Sequence, residues 1–261
     1  MTFSAIVPLD GLAGYKFLQK TMSQQKALAA SDPTNQRLAD AFRTRIGSIT
    51  TAAQLVQDRE LLEVALGAFG LSDDIDNKYF VRTILEEGTT SSTALARKLS
   101  DQRYTDFSAA FGFGDRTTPR TQLSVFADEI LARFENVSVE VAVGEEDETL
   151  RLALNAERTL PDVADSDKKS KTKWLNIIGN DPLRVTFTTA LGLPDSIAQL
   201  NLDRQVEIFE ETLKQQMGIS IDDLAVDEHR ETLIERYLLR ASIDQTDSFS
   251  SGSLALALLS G

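Results

Sequence analysis

The chain has no cysteine and a single histidine among its 261 residues. Without thiols it has no disulfide, no thiolate metal site and no cysteine nucleophile. With His229 as the only histidine, multi-histidine metal sites are not on offer, and a histidine-based triad would have to be built on that one residue. His229 lies in the charged segment VDEHRET and reads as a solvated helix position. Positive charge is also scarce. Lys and Arg number 27 against 40 Asp and Glu, a net charge of −13. Nucleic-acid phosphates would repel such a surface, and an anionic membrane is disfavoured for the same reason. No window approaches the roughly 18–20 apolar residues of a membrane span. The opening run MTFSAIVPLDGLAGYKF has no basic segment ahead of an apolar core, so no Sec signal is expected. Either a cytoplasmic location or export without a Sec signal is consistent with that.

Catalytic motifs are missing too. No G-x-S-x-G elbow follows a strand, and there is neither a phosphate-binding loop nor a G-x-G-x-x-G fingerprint. The acidic clusters Asp73-Asp74-Ile75-Asp76 and Glu145-Glu146-Asp147-Glu148 lack the alternate spacing, central Gly and closing Glu of a calcium loop. Asp73 and Asp74 read instead as helix-start carboxylates, stabilising the dipole by about 0.3–1 kcal/mol. No cofactor, metal or catalytic residue is expected, and the chain is not expected to be an enzyme.

What is present is helical periodicity in a chain that is 42% hydrophobic and 26% charged. Leu12, Tyr15, Leu18 and Met22 make a first stripe after an apolar, unpatterned arm, residues 1–10, expected to be flexible or partner-dependent. Thr34 or Asn35 is expected to cap the next helix, whose inner face is Leu38, Phe42 and Ile46. Ser48 to Thr51 is a capping stretch. Leu55, Leu62, Leu66 and Phe69 form one stripe that Gly70 ends. Tyr79, Phe80, Ile84 and Leu85 form another, ended by Gly88. Ala94, Leu95 and Leu99 mark a short third helix, and Tyr104, Phe107 and Phe111 a fourth. Such short helices bury their stripes only against each other.

Pro119 suits the first position of a new helix. Beyond it, Val137, Val139, Val141 and Val143 alternate with Ser138, Glu140, Ala142 and Gly144, a strand signal. Phe126, Ile130, Phe134, Val137 and Val141 meanwhile run at helical spacing. One long helix or two, with Gly144 as a weak point, is the reading taken here, with a buried hairpin as its alternative. Asp181-Pro182 reads as a helix start and Trp174 as a core anchor.

ALGLPDSI (190–197) echoes AFGLSDDI (68–75), and IFEET (208–212) echoes ILEEG (84–88), a weak internal repeat. The expected fold is all-α, a multi-helix two-lobed architecture repeating one helical module around a long central helix. Its parts are an N-terminal arm and helices (1–50), a first module (51–115), the central helix (116–161), a charged linker (162–173), a second module (174–243) and a tail (244–261). The tail is a polar spacer followed by Leu254, Leu256, Leu258 and Leu259. Those four leucines either fold back on the core or dock into a partner or neighbouring copy; they are the candidate partner-binding residues.

GYKFLQKT (14–21), LVQDRELLEVALGAFGL (55–71) and ALARKLSDQRYTDFSAAFGF (94–113) resemble a family of helical alphaproteobacterial proteins of unknown function. So do ETLRLALNAERTL (148–160) and WLNIIGNDPLRVTFTTALGLPDSIAQLNLDRQ (174–205). The genes of that family lie among flagellar genes, and some members carry a basal-body rod label. The resemblance implies a structural or assembly role in the flagellum and brings no catalytic residue with it. A cytoplasmic helical adaptor or chaperone-like regulator, binding a partner helix, is the alternative. Rod and hook proteins carry β-rich outer domains, and no strand-rich stretch exists here. The partners implied are other proteins, flagellar components among them, with self-association as a further expectation.

Overall fold

A computed structural model describes the backbone of residues 3–259 and the side chains of residues 3–243. Among these residues there are thirteen α-helices, several 3₁₀ turns and no strand. In chain order the helices are α1 (Gly11–Ser31), α2 (Pro33–Arg45), α3 (Ala52–Gln57), α4 (Arg59–Gly67), α5 (Lys78–Glu87), α6 (Leu95–Lys98) and α7 (Gln102–Phe111). They continue as α8 (Phe126–Glu146), α9 (Glu148–Ala164), α10 (Ser170–Ile178), α11 (Asp181–Leu191), α12 (Leu202–Met217) and α13 (Asp227–Leu259). The all-α expectation holds, and residues 137–143 are helical. Their alternation misleads because α8 buries a broad stripe: Val137, Val139 and Val143 are all buried, while Val141 is 47% exposed.

The chain divides into two compact units, Met1–Ile6 with Thr21–Val143 and Val7–Lys20 with Gly144–Gly261. Residues 162–173 do not separate them, since 162–164 finish α9 and 170–173 begin α10, both within the second unit. Of the two expectations for the central segment, one long helix or two, the structure has two, and the break falls at Asp147 rather than Gly144. Asp147 leaves the helical region at φ −148° and its carboxylate accepts from the Thr149 and Leu150 amides at 2.7 and 3.1 Å. An Asx cap of that kind starts a new helix rather than continuing the old one. Gly144 itself stays inside α8.

Several local expectations need correction. Asp32, rather than Thr34 or Asn35, caps α2, accepting from the amides of both at 2.9 and 3.2 Å. Pro33 takes the first helical position, where its missing N–H costs nothing, so the cap must precede it. Pro119 opens a 3₁₀ turn, Arg120–Gln122, and α8 begins only at Phe126. Tyr79 is 84% exposed, because α5 turns Val81, Ile84 and Leu85 inward instead. The segment before α1 is held rather than loose: Ile6 donates to Gln25 Oε1 at 3.1 Å and accepts from Gln25 Nε2 at 2.8 Å. Buried Gln25 acts there as a stand-in for a neighbouring peptide group.

In the first unit, Phe69, Phe107, Phe111 and Phe126 form a chain of edge-on and tilted ring contacts at 5.1–5.4 Å. Around it lie Leu38, Phe42, Leu55, Leu61, Leu62 and Leu66, all essentially inaccessible. In the second, Trp174 packs against Phe187 and Phe209 at 5.5 and 5.9 Å, with Leu183, Leu191, Leu213 and Leu233 also buried. Each such side chain contributes about 1.5–3 kcal/mol.

The two units repeat one succession of elements. α3 turns into α4 at Asp58, and α10 turns into α11 at Asn180. These residues share their backbone (φ −90°, ψ 102° and φ −103°, ψ 105°). Each side chain accepts from the amide three residues on, Leu61 and Leu183 respectively. After α4 comes Gly70 at φ +68°, and after α11 comes Gly192 at φ +62°, both in the left-handed region that favours glycine. A 3₁₀ turn then leads into α5 in one unit and α12 in the other. The packing partners correspond as well. α2 and α3 lie on α4 as α9 and α10 lie on α11, and α3 meets α5 as α10 meets α12.

Replacing either corner residue, Asp58→Ala or Asn180→Ala, leaves an amide without its cap. Each is expected to lower unfolding free energy by about 0.5–2 kcal/mol in urea titrations. A loss at one corner only would contradict their equivalence.

Candidate functional site

Several of the polar groups that sequence singles out make structural contacts. His229 is half-buried in the first turn of α13. Asp74, in the 3₁₀ turn ahead of α5, accepts from Tyr104 Oη at 2.7 Å and Asn77 Nδ2 at 2.9 Å. Asp76 pairs with Arg59 at 2.9 Å, and Glu148 with Arg151. Burial, reinforced by the hydrogen bond to Asp74, pushes the Tyr104 phenol up. Burial, then the Glu157 carboxylate, raises Tyr15 as well. Both phenols therefore stay protonated at physiological pH and serve as hydrogen-bond donors, not as bases. Lys173 is buried in the second unit, where its ammonium donates to Ala164 O at the end of α9 and to Asp222, both at 2.6 Å. A cation at a helix C-terminus is favourable there. Among the described residues no group of three His, Asp or Glu side chains is placed to hold a metal ion.

Asp115 shows how tightly such groups are engaged. Its carboxylate accepts from the amides of Thr89 and Thr90 at 2.6 and 2.9 Å and from both hydroxyls at 2.8 Å. Gly88 and Gly114 permit this closure, since a Cβ on Gly114 would lie 2.4 Å from Glu86 O. Burial alone would raise this acid, but the hydrogen bonds, led by the Thr89 amide, hold it below the ordinary carboxylate range.

The concave feature of interest is a groove of about 290 Å³ within the first unit, where the end of α1 meets α2 and α8. Its floor is small and apolar: Ala29, Ala39, Leu131 and Phe134. Phe134 reaches inward because Gly67 leaves room; a Cβ on Gly67 would come within 2.7 Å of its ring. The rim carries Gln36, Asp40, Arg43, Glu135 and Ser138, charges of both signs. Arg43 and Asp128 face each other at 3.6 Å, joining α2 to α8. Exposed Ala30 sits at the mouth. Of the floor residues, Ala29, Leu131 and Phe134 are at most 9% exposed, so what the groove offers at its surface is largely its mixed-charge rim.

Sequence reasoning did not find the groove, because its walls are single turns of three helices far apart in the chain. The alanines Ala29, Ala30 and Ala39 were its one local trace. The residues nominated from sequence, Leu254, Leu256, Leu258 and Leu259, fall on α13, but their side chains lie outside the described residues. Closer to the core on that helix, Leu239 and Ile243 are 53% and 58% exposed and stand one turn apart.

Comparison with known proteins gives two matches. The profile of a family described as protein of unknown function (DUF1217) matches residues 68–226. A crystal structure of a protein from Agrobacterium tumefaciens superposes with a TM-score of 0.76 at 23% identity, covering 92% of this chain and 99% of that one. At that identity the likeness establishes a shared fold. No curated protein matches the chain.

Because the native pKa of Asp115 is lowered, the stability it contributes is present above the ordinary carboxylate range. It is lost as pH falls through the lowered native value. Asp115→Asn is expected to cost about 1 kcal/mol at neutral pH. Melting curves recorded from neutral to acid should then fall less steeply for the variant than for the wild type. Parallel curves would contradict the assignment.

Proposed function

The chain belongs to the DUF1217 family of proteins of unknown function, and we propose that it is a non-enzymatic, flagellum-associated structural or assembly protein. It acts through contacts with other proteins. The observation that supports the contact half of this reading is the groove between α1, α2 and α8, floored by small and apolar side chains and rimmed by charges of both signs. The flagellar half rests on the resemblance of residues 14–21, 55–71, 94–113, 148–160 and 174–205. No described helix is long and apolar enough to cross a membrane, so contact with the flagellum would be made by protein surfaces.

A second reading, a cytoplasmic adaptor that receives a partner helix, draws on the same groove. The two differ in where the protein works: in or on the axial structure of the flagellum, or in the cytoplasm on a client.

A clean, non-polar deletion in a motile alphaproteobacterium carrying the gene tests the shared premise. The expected outcome is reduced spreading in soft agar and shortened or absent filaments by electron microscopy, both restored by the wild-type gene. Normal swimming with normal filaments would overturn the flagellar reading.

A further inference from the structure

We propose that each half of the chain carries a seat for the long opening helix of a second copy of the same repeat, and that the two halves of this chain have exchanged those helices. The inference goes beyond the functional reading above and does not depend on it. The repeat is longer than its corner. α1 and α8 are each 21 residues long. α1 runs up to Asp32, whose carboxylate caps α2 by accepting from the amides two and three residues on, Thr34 and Asn35. α8 runs up to Asp147, which caps α9 by accepting from Thr149 and Leu150, again two and three residues on. The first repeat is therefore α1–α7 and the second α8–α13, each opening with its long helix.

The opening part of each long helix lies with the helices of the other repeat. Residues 7–20, with the first half of α1, belong to the second unit, and α8 as far as Val143 belongs to the first. In the second unit Tyr15 and Leu18 are fully buried, Lys16 pairs with Glu231 and Glu235 of α13, and Gln19 donates to Glu157 of α9 at 3.1 Å. Gly14 allows the approach, since a Cβ there would lie 2.9 Å from Leu150 Cδ1 of α9. In the first unit Phe126 meets Phe111 of α7 at 5.1 Å, Asp128 faces Arg43 of α2, and Phe134 fills the space that Gly67 of α4 leaves. α1 thus meets α9 and α13 as α8 meets α2 and α7. The seats correspond, and each is filled by an element that the other repeat brings. That is the arrangement of a helix-swapped homodimer whose two chains are joined end to end. A repeat without its partner would bare the apolar faces that bury Leu18 and Phe134, and their burial favours the pair.

The experiment cuts the folded full chain between the repeats. A recognition sequence for a specific protease is inserted between Thr117 and Thr118, in the exposed turn that follows α7. After cleavage, residues 1–117 and 118–261 should stay together as a one-to-one pair on size exclusion, with the emission of Trp174, the only tryptophan, unchanged. Leu18→Ala and Phe134→Ala, one in each seat, should each weaken pairing of the cut chain about tenfold or more, as truncation of a buried side chain of that size does. Left uncut, the same variants should keep the native Trp174 emission, because the tether keeps both seats filled. Lys16→Ala replaces Leu18→Ala, and Phe134→Leu replaces Phe134→Ala, if the uncut variant does not fold. Fragments that elute separately after cutting overturn the proposal. So does a cut pair that either seat variant leaves as tight as the wild type. Pairing is read in solution, so a deletion strain that swims normally would sink the flagellar reading alone.

Discussion

A helix corner under a single side-chain cap is the constraint on which the rest of the molecule depends. At Asp58 and again at Asn180, one oxygen accepts the amide three residues on, and the chain leaves one helix and starts the next without a loop. A cap contributes about 1 kcal/mol, less than burying one leucine at about 1.5–3. Its importance is directional. It fixes the angle at which α3 meets α4 and α10 meets α11, and so decides which apolar stripes face each other. The left-handed glycines, Gly70 and Gly192, then reverse the chain so that α5 and α12 return against α3 and α10. With the direction set, the Phe69–Phe107–Phe111–Phe126 contacts in one unit and the Trp174–Phe187–Phe209 contacts in the other pack at the centre of the buried apolar side chains.

Stripes at helical spacing were legible from sequence because they record burial directly: Leu38, Phe42, Ile46, Phe107 and Phe111 all lie inside. Stops at Gly70 and Gly88 were legible for a related reason, since both need a positive φ that other residues avoid. Breaks made by side chains were harder to see. Asp58 and Asp147 interrupt what reads as continuous helix, and an Asp on a helix surface is indistinguishable from a cap until its backbone is known. Tyr79 failed for another reason. A large aromatic at the start of a helix extends an apolar run in sequence while its position on the wheel points it to water.

The groove was invisible for a third reason. Alanine on a helix is the default residue, and only the meeting of α1, α2 and α8 turns Ala29 and Ala39 into a floor. Candidate sites of this kind carry no chemical motif, in contrast to a metal or nucleophile constellation. The corner repeat, too, is faint as sequence, since it conserves a cap, a glycine and a 3₁₀ turn but few identical side chains.

The described structure is that of an acidic all-α protein in which Asp58, Asp147 and Asn180 cap helices, Asp115 gathers the Thr89–Thr90 turn and Lys173 joins Ala164 to Asp222. The proposed flagellar association is tested most directly by finding the protein in a swimming cell. Immunoblots of cytosol, culture supernatant and purified hook–basal bodies should place it with the hook–basal bodies or in the supernatant. Signal confined to the cytosol and absent from both would contradict that claim and leave the adaptor.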